Sequence, residues 1–281
     1  MSTPTKPAIA VITGCSSGIG ESLALAFAAR GLTVVATARR VESLAHLTKK
    51  HDNIIALPLE LGDLGNLESF RDAVAEKTGG RVDILVNNAG MHLAATAVDM
   101  DIAEAEKLFT VNVFAVMRLC QLFFPLLRKS ARGRIVQLGS ISRDVPTTWQ
   151  CAYNASKAAL SQYTNTLRLE LRPFGVEVIE VVTGYVRSNI LHHGFSAPED
   201  SLYLPIKSDV ERILSEGIQN GMPSDEYAAA VVERVLRPNT SPEIWDGKFA
   251  WTVELLARFT PLWFLNWFWT RYFKLDKLGP R

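Results

Sequence analysis

The fold is decided by the stretch Thr13-Gly14-Cys15-Ser16-Ser17-Gly18-Ile19-Gly20, which joins an apolar run at Ala8–Thr13 to the start of a helical pattern. A glycine-rich turn between a strand and a helix is the context that binds the pyrophosphate of a dinucleotide. Gly14 would permit the tight turn, Gly18 the close approach of backbone to phosphate, and Gly20 the packing of helix on strand. The spacing G-x-x-x-G-x-G alone leaves an ordinary glycine turn as the alternative.

Outward from this turn, short runs rich in Val and Ile alternate with longer stretches of helical period. The runs that predict strands are Ala8–Thr13, Thr33–Thr37, Ile54–Leu59, Ile84–Asn87, Arg134–Leu138 and Val176–Val182. The stretches that predict helices are Glu21–Arg30, Ala103–Arg128 and Ala155–Arg172. Strands that are apolar on both faces predict an α/β fold with a doubly wound parallel sheet, a Rossmann fold. We expect one catalytic domain over residues 1–248 and an aromatic-rich C-terminal segment over 249–281.

Composition narrows the classes of function. The chain holds 30 Lys and Arg against 29 Asp and Glu, a net charge of +1, which gives no reason to expect nucleic acid as a partner. The three cysteines lack metal-ligand spacing, so neither a disulfide framework nor a metal site is expected. Cys15 and Cys151 adjoin proposed site residues and could sense oxidants, although small apolar positions are the simpler interpretation. The N-terminus lacks the organisation of a signal peptide, which predicts a cytoplasmic protein.

The end of the second predicted strand indicates the cofactor. NAD-binding folds generally place an acid there, to accept hydrogen bonds from the adenosine ribose. The sequence has Thr37-Ala38-Arg39-Arg40 instead. Because a guanidinium binds a 2′-phosphate bidentately, we predict NADPH/NADP+ as the cofactor, held by Arg39 with Arg40 in reserve. Two solvated surface arginines are the alternative.

Tyr153 and Lys157 are the candidate centre of the chemistry. Four residues apart at the start of a predicted helix, they leave from one face, and the ammonium would lower the pKa of the phenol. Tyr153 would then act as an acid or base at a carbonyl carbon. Ser140 ends a predicted buried strand and could donate to a substrate carbonyl oxygen. The simpler alternative for Tyr153 and Lys157 is an exposed aromatic residue beside a charged neighbour. The simpler alternative for Ser140 is a serine that caps a turn.

The segment from Ala8 to Ile190 resembles the short-chain dehydrogenase/reductases. The motifs that carry the resemblance are TGxxxGIG at Thr13–Gly20, NNAG at Asn87–Gly90, Asn112, Ser140 and YxxxK at Tyr153–Lys157. The resemblance implies a catalytic set of Asn112, Ser140, Tyr153 and Lys157, in which Asn112 completes a proton relay. It also implies cofactor contacts from Gly14, Ser16, Ser17, Gly18, Ile19, Gly20, Arg39, Glu60, Asn88, Gly90, Tyr153, Lys157, Val186 and Ser188.

Three residues depart from that family's usual pattern. Thr183 replaces a proline and Ser188 a threonine in the segment that wraps the nicotinamide, while Glu60 replaces the aspartate that meets the adenine. Within the family the resemblance is closest to a fungal branch of NADPH-dependent 1-acyldihydroxyacetone-phosphate reductases. It is carried by Asp101–Ala105, Val182–Gly184 and Asp200–Ile206.

The variable regions point to an apolar substrate. Residues 191–223 are rich in glycine and proline and predict a loop or lid. The C-terminal segment is dense in aromatic residues between 249 and 273, and is too short in its charge-free part to span a bilayer. It could roof a lipophilic substrate channel, form a subunit interface, or anchor the protein peripherally at the endoplasmic reticulum or a lipid droplet. Arg143, Arg187, His192 and His193 could reach a substrate phosphate or carboxylate, or could simply be solvated.

These features together predict an NADPH-dependent ketoreductase for a lipophilic ketone, namely acyl-dihydroxyacetone phosphate, a steroid-like ketone or a polyketide-derived ketone. The first alternative is an NADP-dependent alcohol dehydrogenase or epimerase of secondary metabolism, because the same residues work in both directions. A non-catalytic protein that senses NADP(H) or binds a lipid surface is the alternative of another class. The resemblance further implies a homo-oligomer, a dimer or tetramer.

Overall fold

The computed structural model describes residues 7–188, 190 and 195–279. In this part of the chain seven strands form one parallel sheet in the order β3-β2-β1-β4-β5-β6-β7. The strands are β1 Ile9–Ile12, β2 Thr33–Ala38, β3 Ile54–Pro58, β4 Ile84–Asn87, β5 Arg134–Leu138, β6 Glu177–Thr183 and β7 Glu243–Asp246. The predicted doubly wound parallel sheet is confirmed. The prediction missed β7, which pairs with β6 at the sheet edge.

Helices cover both faces of the sheet. They are α1 Gly18–Ala29, α2 Ala45–Lys50, α3 Leu67–Thr78, α4 Ile102–Phe109, α5 Ala115–Leu127, α6 Cys151–Leu171, α7 Leu204–Gln219, α8 Ser224–Leu236, α9 Ala250–Phe259 and α10 Leu262–Tyr272. One core cluster joins α1, α2 and α8 to the sheet, and a second joins α3, α5 and α6 to the opposite face. Burial from both sides explains why the strands read as continuous apolar runs rather than as alternating patterns.

The predicted helix over 103–128 is interrupted. A π-helical turn at Thr110–Phe114 separates α4 from α5 and contains Asn112, which is buried. Such wide turns occur mostly at functional sites, because they re-aim a side chain within a helix. By length and composition the run Ile102–Leu127 could cross a membrane, but 56% of its most apolar window is buried inside the fold. We therefore interpret it as a core helix of the sheet layer.

The predicted loop over 191–223 is wrong for much of its length, because α7 occupies Leu204–Gln219. Pro205 lies in the first turn of α7, where its missing N–H costs no hydrogen bond. Ile206, Val210 and Leu214 recur at a spacing of four and bury one face of this helix. Residues 191–194, which include His192 and His193, lie outside the described residues.

The C-terminal aromatic segment, residues 249–281, forms α9 and α10 and packs on the rest of the protein. Ala250 and Val253 join a cluster with Val182 at the end of β6. Phe273, just after α10, is almost fully buried in a cluster with the apolar face of α7. The segment therefore extends over the carboxyl end of the sheet.

Candidate active site

The glycine-rich turn lies between β1 and α1, next to the point where the strand order reverses from β2-β1 to β1-β4. Gly14 and Gly18 have φ angles of 73° and 61°, which glycine adopts without strain. A Cβ added to Gly20 would lie 2.1 Å from the carbonyl oxygen of Gly14, so this position tolerates no side chain. The turn is thus held in one compact conformation by three glycines with distinct roles.

Asn88 fixes this turn from the neighbouring strand. Its side-chain Nδ2 donates to the carbonyl oxygens of Thr13, at 2.8 Å, and of Gly14, at 3.1 Å. In return, Thr13 Oγ1 accepts from the backbone N–H groups of Asn88 and Ala89. Asn87 points elsewhere, since its Nδ2 donates to Gln137 Oε1 within the sheet. Asn88 therefore orders the glycine-rich turn from the end of β4.

The residues around the turn fit a dinucleotide. Ser17 caps α1 without a side-chain hydrogen bond, so the first N–H groups of the helix are left for an anion. Ser16 and Ser17 are exposed there. Ile19, Val186 and Ser188 line the adjoining cavity. Ser188 also lies against Gly18, where an added Cβ would be 3.4 Å from that of Ser188.

The predicted adenosine contacts lie at the same edge of the sheet. Arg39 and Arg40 directly follow β2 and are exposed. Neither guanidinium is hydrogen-bonded to another described residue, which leaves both available to a phosphate. Glu60 is exposed beyond β3 and accepts from the N–H of Gly62 at 3.0 Å, a local turn contact.

Tyr153 and Lys157 lie in the first two turns of α6 and are both buried. Lys157 Nζ is 5.7 Å from the centre of the Tyr153 ring and donates to the carbonyl oxygen of Leu138 at 2.8 Å. Ser140 follows β5 and forms a hydrogen bond with Tyr153. It also caps a short 3-10 turn by accepting from the N–H of Ser142 at 3.1 Å. The structure thus brings the three predicted residues together. Ser140 has the turn-capping role considered for it, and its bond to a substrate carbonyl stays a prediction.

Burial controls the pKa values at this site. It raises the pKa of Tyr153 to about 12, against an opposing effect of the Ser140 hydrogen bond. The lowered pKa expected for Tyr153 beside Lys157 is therefore not found, because an anionic phenolate is costly in an apolar cavity. Burial also lowers the pKa of Lys157 to about 8. A phenol with so high a pKa keeps its proton at neutral pH.

Asn112 is held within the π-helical turn. Its side chain accepts from Met91 N–H at 2.7 Å, and donates to the Met91 carbonyl at 2.9 Å and to Ser156 Oγ at 3.1 Å. These bonds tie the segment after Gly90 to α6 beside Tyr153. A Cβ on Gly90 would lie 3.4 Å from Asn112 Oδ1 and 3.9 Å from Lys157 Nζ. Asn112 and Gly90 therefore lie beside the Tyr–Lys pair, as the predicted set requires.

A cavity of about 330 Å³ opens over the Tyr–Lys pair. Polar groups line its floor, and apolar side chains from the end of β6, α7 and the C-terminal aromatic segment line its walls and roof. The floor residues are Asn88, His92, Ser140, Ser142, Gln150, Tyr153, Lys157 and Thr183. The walls and roof include Tyr185, Leu214, Ile218, Phe249, Val253, Leu256, Phe268, Trp269, Tyr272 and Phe273.

The outer face of the C-terminal aromatic segment is apolar and uncovered in the described structure. Phe259 is 77% exposed and Trp263 72% exposed, and Leu262 and Trp267 are also exposed. The opposite side of α10 presents Phe268 and Trp269 to the cavity. One short helix therefore has apolar side chains on both its cavity side and its solvent side.

Arg143 does not line the cavity, contrary to its possible role in binding a substrate anion. Its guanidinium pairs with Glu180, Glu243 and Asp144 and stacks on Trp245 at 5.0 Å. The buried carboxylate of Glu180 attracts it inward, since a buried charge requires a partner. Arg187 is exposed and lies outside the cavity wall.

Ser142 and His92 are among the cavity residues that were missed from the sequence. Ser142 Oγ is 3.0 Å from Ser140 Oγ, and His92 packs on Tyr153 with ring centres 5.1 Å apart. Ser142 shares the Ser-x-Ser spacing with Ser140, which was the available signal. His92 follows the NNAG motif in a segment without periodicity, and no sequence signal marked it.

The cysteines are unpaired. Burial raises the pKa of Cys15 to about 12 and that of Cys120 to about 11. The pKa of Cys151 is also raised by burial. Oxidants react with thiolates, so these values favour the interpretation of small apolar residues over that of an oxidant sensor.

A dinucleotide-binding turn and a buried Tyr–Lys pair at the same sheet edge define a nicotinamide-dependent oxidoreductase. The chain belongs to the short chain dehydrogenase family, whose pattern its residues 8–198 match. The family resemblance drawn from the motifs is thereby confirmed.

Curated relatives agree with this family. The chain is 39% identical to the short-chain dehydrogenase RED1 of Pyricularia oryzae, across 98% of each chain. It is 36% identical to the NADPH-dependent 1-acyldihydroxyacetone phosphate reductase of Schizosaccharomyces pombe, across 84% of each.

Solved structures agree as well. A short-chain dehydrogenase from Streptomyces avermitilis matches with a TM-score of 0.80 and 28% identity, over 98% of this chain and 99% of that one. A metagenomic short-chain oxidoreductase in complex with NADP matches at 0.68 and 26%, over 84% and 95%. A Burkholderia phymatum relative in complex with NAD has the same fold, at 0.77 and 23%, over 89% and 92%.

Proposed function

We propose that this protein is an NADPH-dependent ketoreductase for a lipophilic ketone. The observation that carries the proposal is the position of Tyr153 and Ser140 on the polar floor of a cavity with otherwise apolar walls. A ketone whose carbonyl oxygen reaches this floor would have its hydrocarbon part against the aromatic roof. Burial of that part would supply the affinity, at about 25 cal/mol per Å² of apolar surface.

Each residue has a defined part in the reduction. The nicotinamide supplies the hydride when it is bound. Ser140 donates a hydrogen bond to the carbonyl oxygen and stabilises the negative charge that grows there. Tyr153 gives its proton to the same oxygen, and Lys157 supplies a positive charge beside the phenolate that this leaves. Asn112 holds the segment after Gly90 against α6, which fixes the site geometry.

The cofactor is proposed to be NADPH. Arg39 and Arg40 at the end of β2 support this choice, because they are exposed and free to bind a 2′-phosphate. The yeast relative is NADPH-dependent by name, and the metagenomic relative was solved with NADP. Because another relative was solved in complex with NAD, the choice between NADPH and NADH has to be measured.

An NADPH-consumption screen with the full-length protein tests the proposal. The panel comprises acyl-dihydroxyacetone phosphate, steroid ketones, polyketide-derived aromatic ketones and a small water-soluble ketone as control. We expect kcat/KM to rise with the apolar surface of the ketone. A higher kcat/KM for oxidation of the matching alcohols with NADP+ than for reduction of the ketones would favour an alcohol dehydrogenase. NADPH binding without turnover of any compound in either direction would favour a sensor and overturn the proposal.

The roof can be tested separately. Trp269 lies between the cavity and two core clusters, so Trp269→Ala would enlarge the cavity and remove apolar contacts. We expect KM to rise about tenfold for the best apolar ketone, and to change little for the small soluble one. An equal effect on both ketones would contradict a role for the roof in substrate recognition.

We further propose that the outer face of the C-terminal aromatic segment rests on a lipid surface. Aromatic side chains at the surface beside Arg271 and Lys274 have the composition of an interfacial anchor. Co-sedimentation with vesicles of phosphatidylcholine and phosphatidylserine tests it. Leu262→Ser with Trp263→Ser should abolish sedimentation, whereas Leu169→Ser, at an exposed leucine of α6, should not. Parent protein that stays in the supernatant would refute the proposal.

A dimer or tetramer stays a prediction, to be tested by light scattering.

A further inference from the structure

The carboxylate of Glu180 is buried directly behind the turn that contains Ser140. Glu180 on β6 is 0% exposed, and its Oε1 lies so close to Gly139 that a Cβ there would be 2.5 Å away. Gly139 joins Leu138, whose carbonyl oxygen accepts from Lys157, to Ser140. The carboxylate therefore packs against the backbone segment that connects two members of the proposed catalytic set.

A clamp of hydrogen bonds links this carboxylate to the elements on either side. Arg143 Nη1 donates to Glu180 Oε2 at 2.5 Å and to Ser161 Oγ at 2.8 Å. Ser161 Oγ in turn donates to Glu180 Oε2 at 3.0 Å. Arg143 closes the 3-10 turn that Ser140 begins, and Ser161 lies one helical turn after Lys157 on α6. The clamp thus joins β6, the Ser140 turn and the catalytic helix.

The charge of Glu180 also acts on Lys157. Burial lowers the pKa of Lys157 to about 8, and the negative charge of Glu180 opposes that effect. Tyr153, on the same helix, lies beside Lys157, and Glu180 on β6 acts on Lys157 through its charge. Arg143, after β5, pairs with Glu180. His92, after β4, packs on the Tyr153 ring, with ring centres 5.1 Å apart.

Ionisation of the carboxylate depends on its partners. Burial raises the pKa of Glu180, whereas the charge of Arg143 and the hydrogen bonds from Arg143 and Ser161 oppose the rise. An arginine this close stabilises the carboxylate, because the guanidinium keeps its own charge.

We propose that Glu180 is a positioning residue of the active site, which holds the Ser140 turn against α6 through Arg143 and Ser161 and supports the positive charge of Lys157. This inference rests on the proposed function. Glu180 does not line the cavity, so its effect is transmitted through Ser140 and Lys157. The sequence does not indicate this role of Glu180, because a single acidic residue in an apolar strand only interrupts the apolar pattern.

The first test measures the ionisation of Lys157 without catalysis. Lysine 13Cε NMR of the cofactor-free protein follows the titration, with the Lys157 signal assigned by its loss in Lys157→Met. We expect Glu180→Gln to lower the midpoint by about half to one pH unit. Glu243→Gln is the matched control, because Glu243 pairs with the same arginine and should leave the midpoint unchanged. An unshifted midpoint in Glu180→Gln overturns the charge role.

The second test uses the pH profile of kcat/KM for ketone reduction, relative to the parent. The alkaline limb should move to lower pH in Glu180→Gln and stay in place in Glu243→Gln. If Glu180→Gln does not fold, Glu180→Asp keeps the charge but withdraws it from Arg143. We then expect kcat to fall about tenfold, with the alkaline limb unmoved. Parental kcat in Glu180→Asp overturns the positioning role, whereas a parent without ketone reduction counts against the proposed function alone.

Discussion

Replacing Asn88 with alanine should loosen the glycine-rich turn and weaken NADPH binding. The change removes two hydrogen bonds, from Nδ2 to the carbonyl oxygens of Thr13 and Gly14. At about 1 kcal/mol for each bond, the free energy of unfolding should fall by about 2 kcal/mol. For a chain of this size, that lowers Tm by about 3–4 °C. If the loosened turn must be re-ordered when cofactor binds, the same 2 kcal/mol raises the Kd for NADPH about 30-fold.

Asn53 provides a matched control for this variant. Its Nδ2 also donates to two backbone carbonyls, those of Ala28 and Leu32, at 2.9 and 2.7 Å. It precedes β3 and therefore lies at the opposite edge of the sheet from the turn. Asn53→Ala should lose a similar amount of stability but keep the parental Kd. Thermal unfolding and NADPH titration by tryptophan fluorescence measure both quantities. Equal Kd values in the two variants would refute the role given to Asn88.

Two further predictions concern the cofactor and the pH range. Arg39→Ala should lower kcat/KM for NADPH about 10- to 100-fold through loss of charge-assisted hydrogen bonds, and leave NADH nearly unaffected. Arg40→Ala should have a smaller effect on the NADPH preference, and an unchanged NADPH preference in Arg39→Ala would contradict the assignment. Burial raises the pKa of Cys15 from 9.0 to about 12, so the folded state holds this proton more tightly and loses stability as pH rises from 9 towards 12. In urea unfolding, the free energy of unfolding of Cys15→Ala should fall less steeply between about pH 9 and 11 than that of the parent, by up to about 1.4 kcal/mol per pH unit. The same slope in both proteins would refute the raised pKa of Cys15.

The sequence was most informative where a pattern repeats or a motif fixes a spacing. Apolar runs bounded by glycine predicted six strands within about two residues, because parallel strands are buried on both faces. The spacing of four between Tyr153 and Lys157 put both on one face of α6, as predicted. β7 was missed because it lies at the sheet edge, where burial alternates and the sequence is therefore not a continuous apolar run.

Other features depend on contacts that are distant in the chain. Arg143 is three residues from Ser140, yet its direction is set by Glu180, which is 37 residues further on. The pKa of Tyr153 depends on burial that the cavity as a whole provides, so local spacing predicted a shift of the wrong sign. The helix α7 was hidden by glycine and proline residues, which tertiary packing against Tyr185 and Phe273 accommodates.

The most direct test of the central claim is turnover and NADPH binding by Tyr153→Phe, measured on the full-length protein with the best ketone from the screen. Removing the hydroxyl takes away the proton donor and leaves the ring in its buried place beside Lys157. We predict that kcat falls by about 100-fold or more while the Kd for NADPH stays within about twofold. Turnover close to that of the parent would contradict the account.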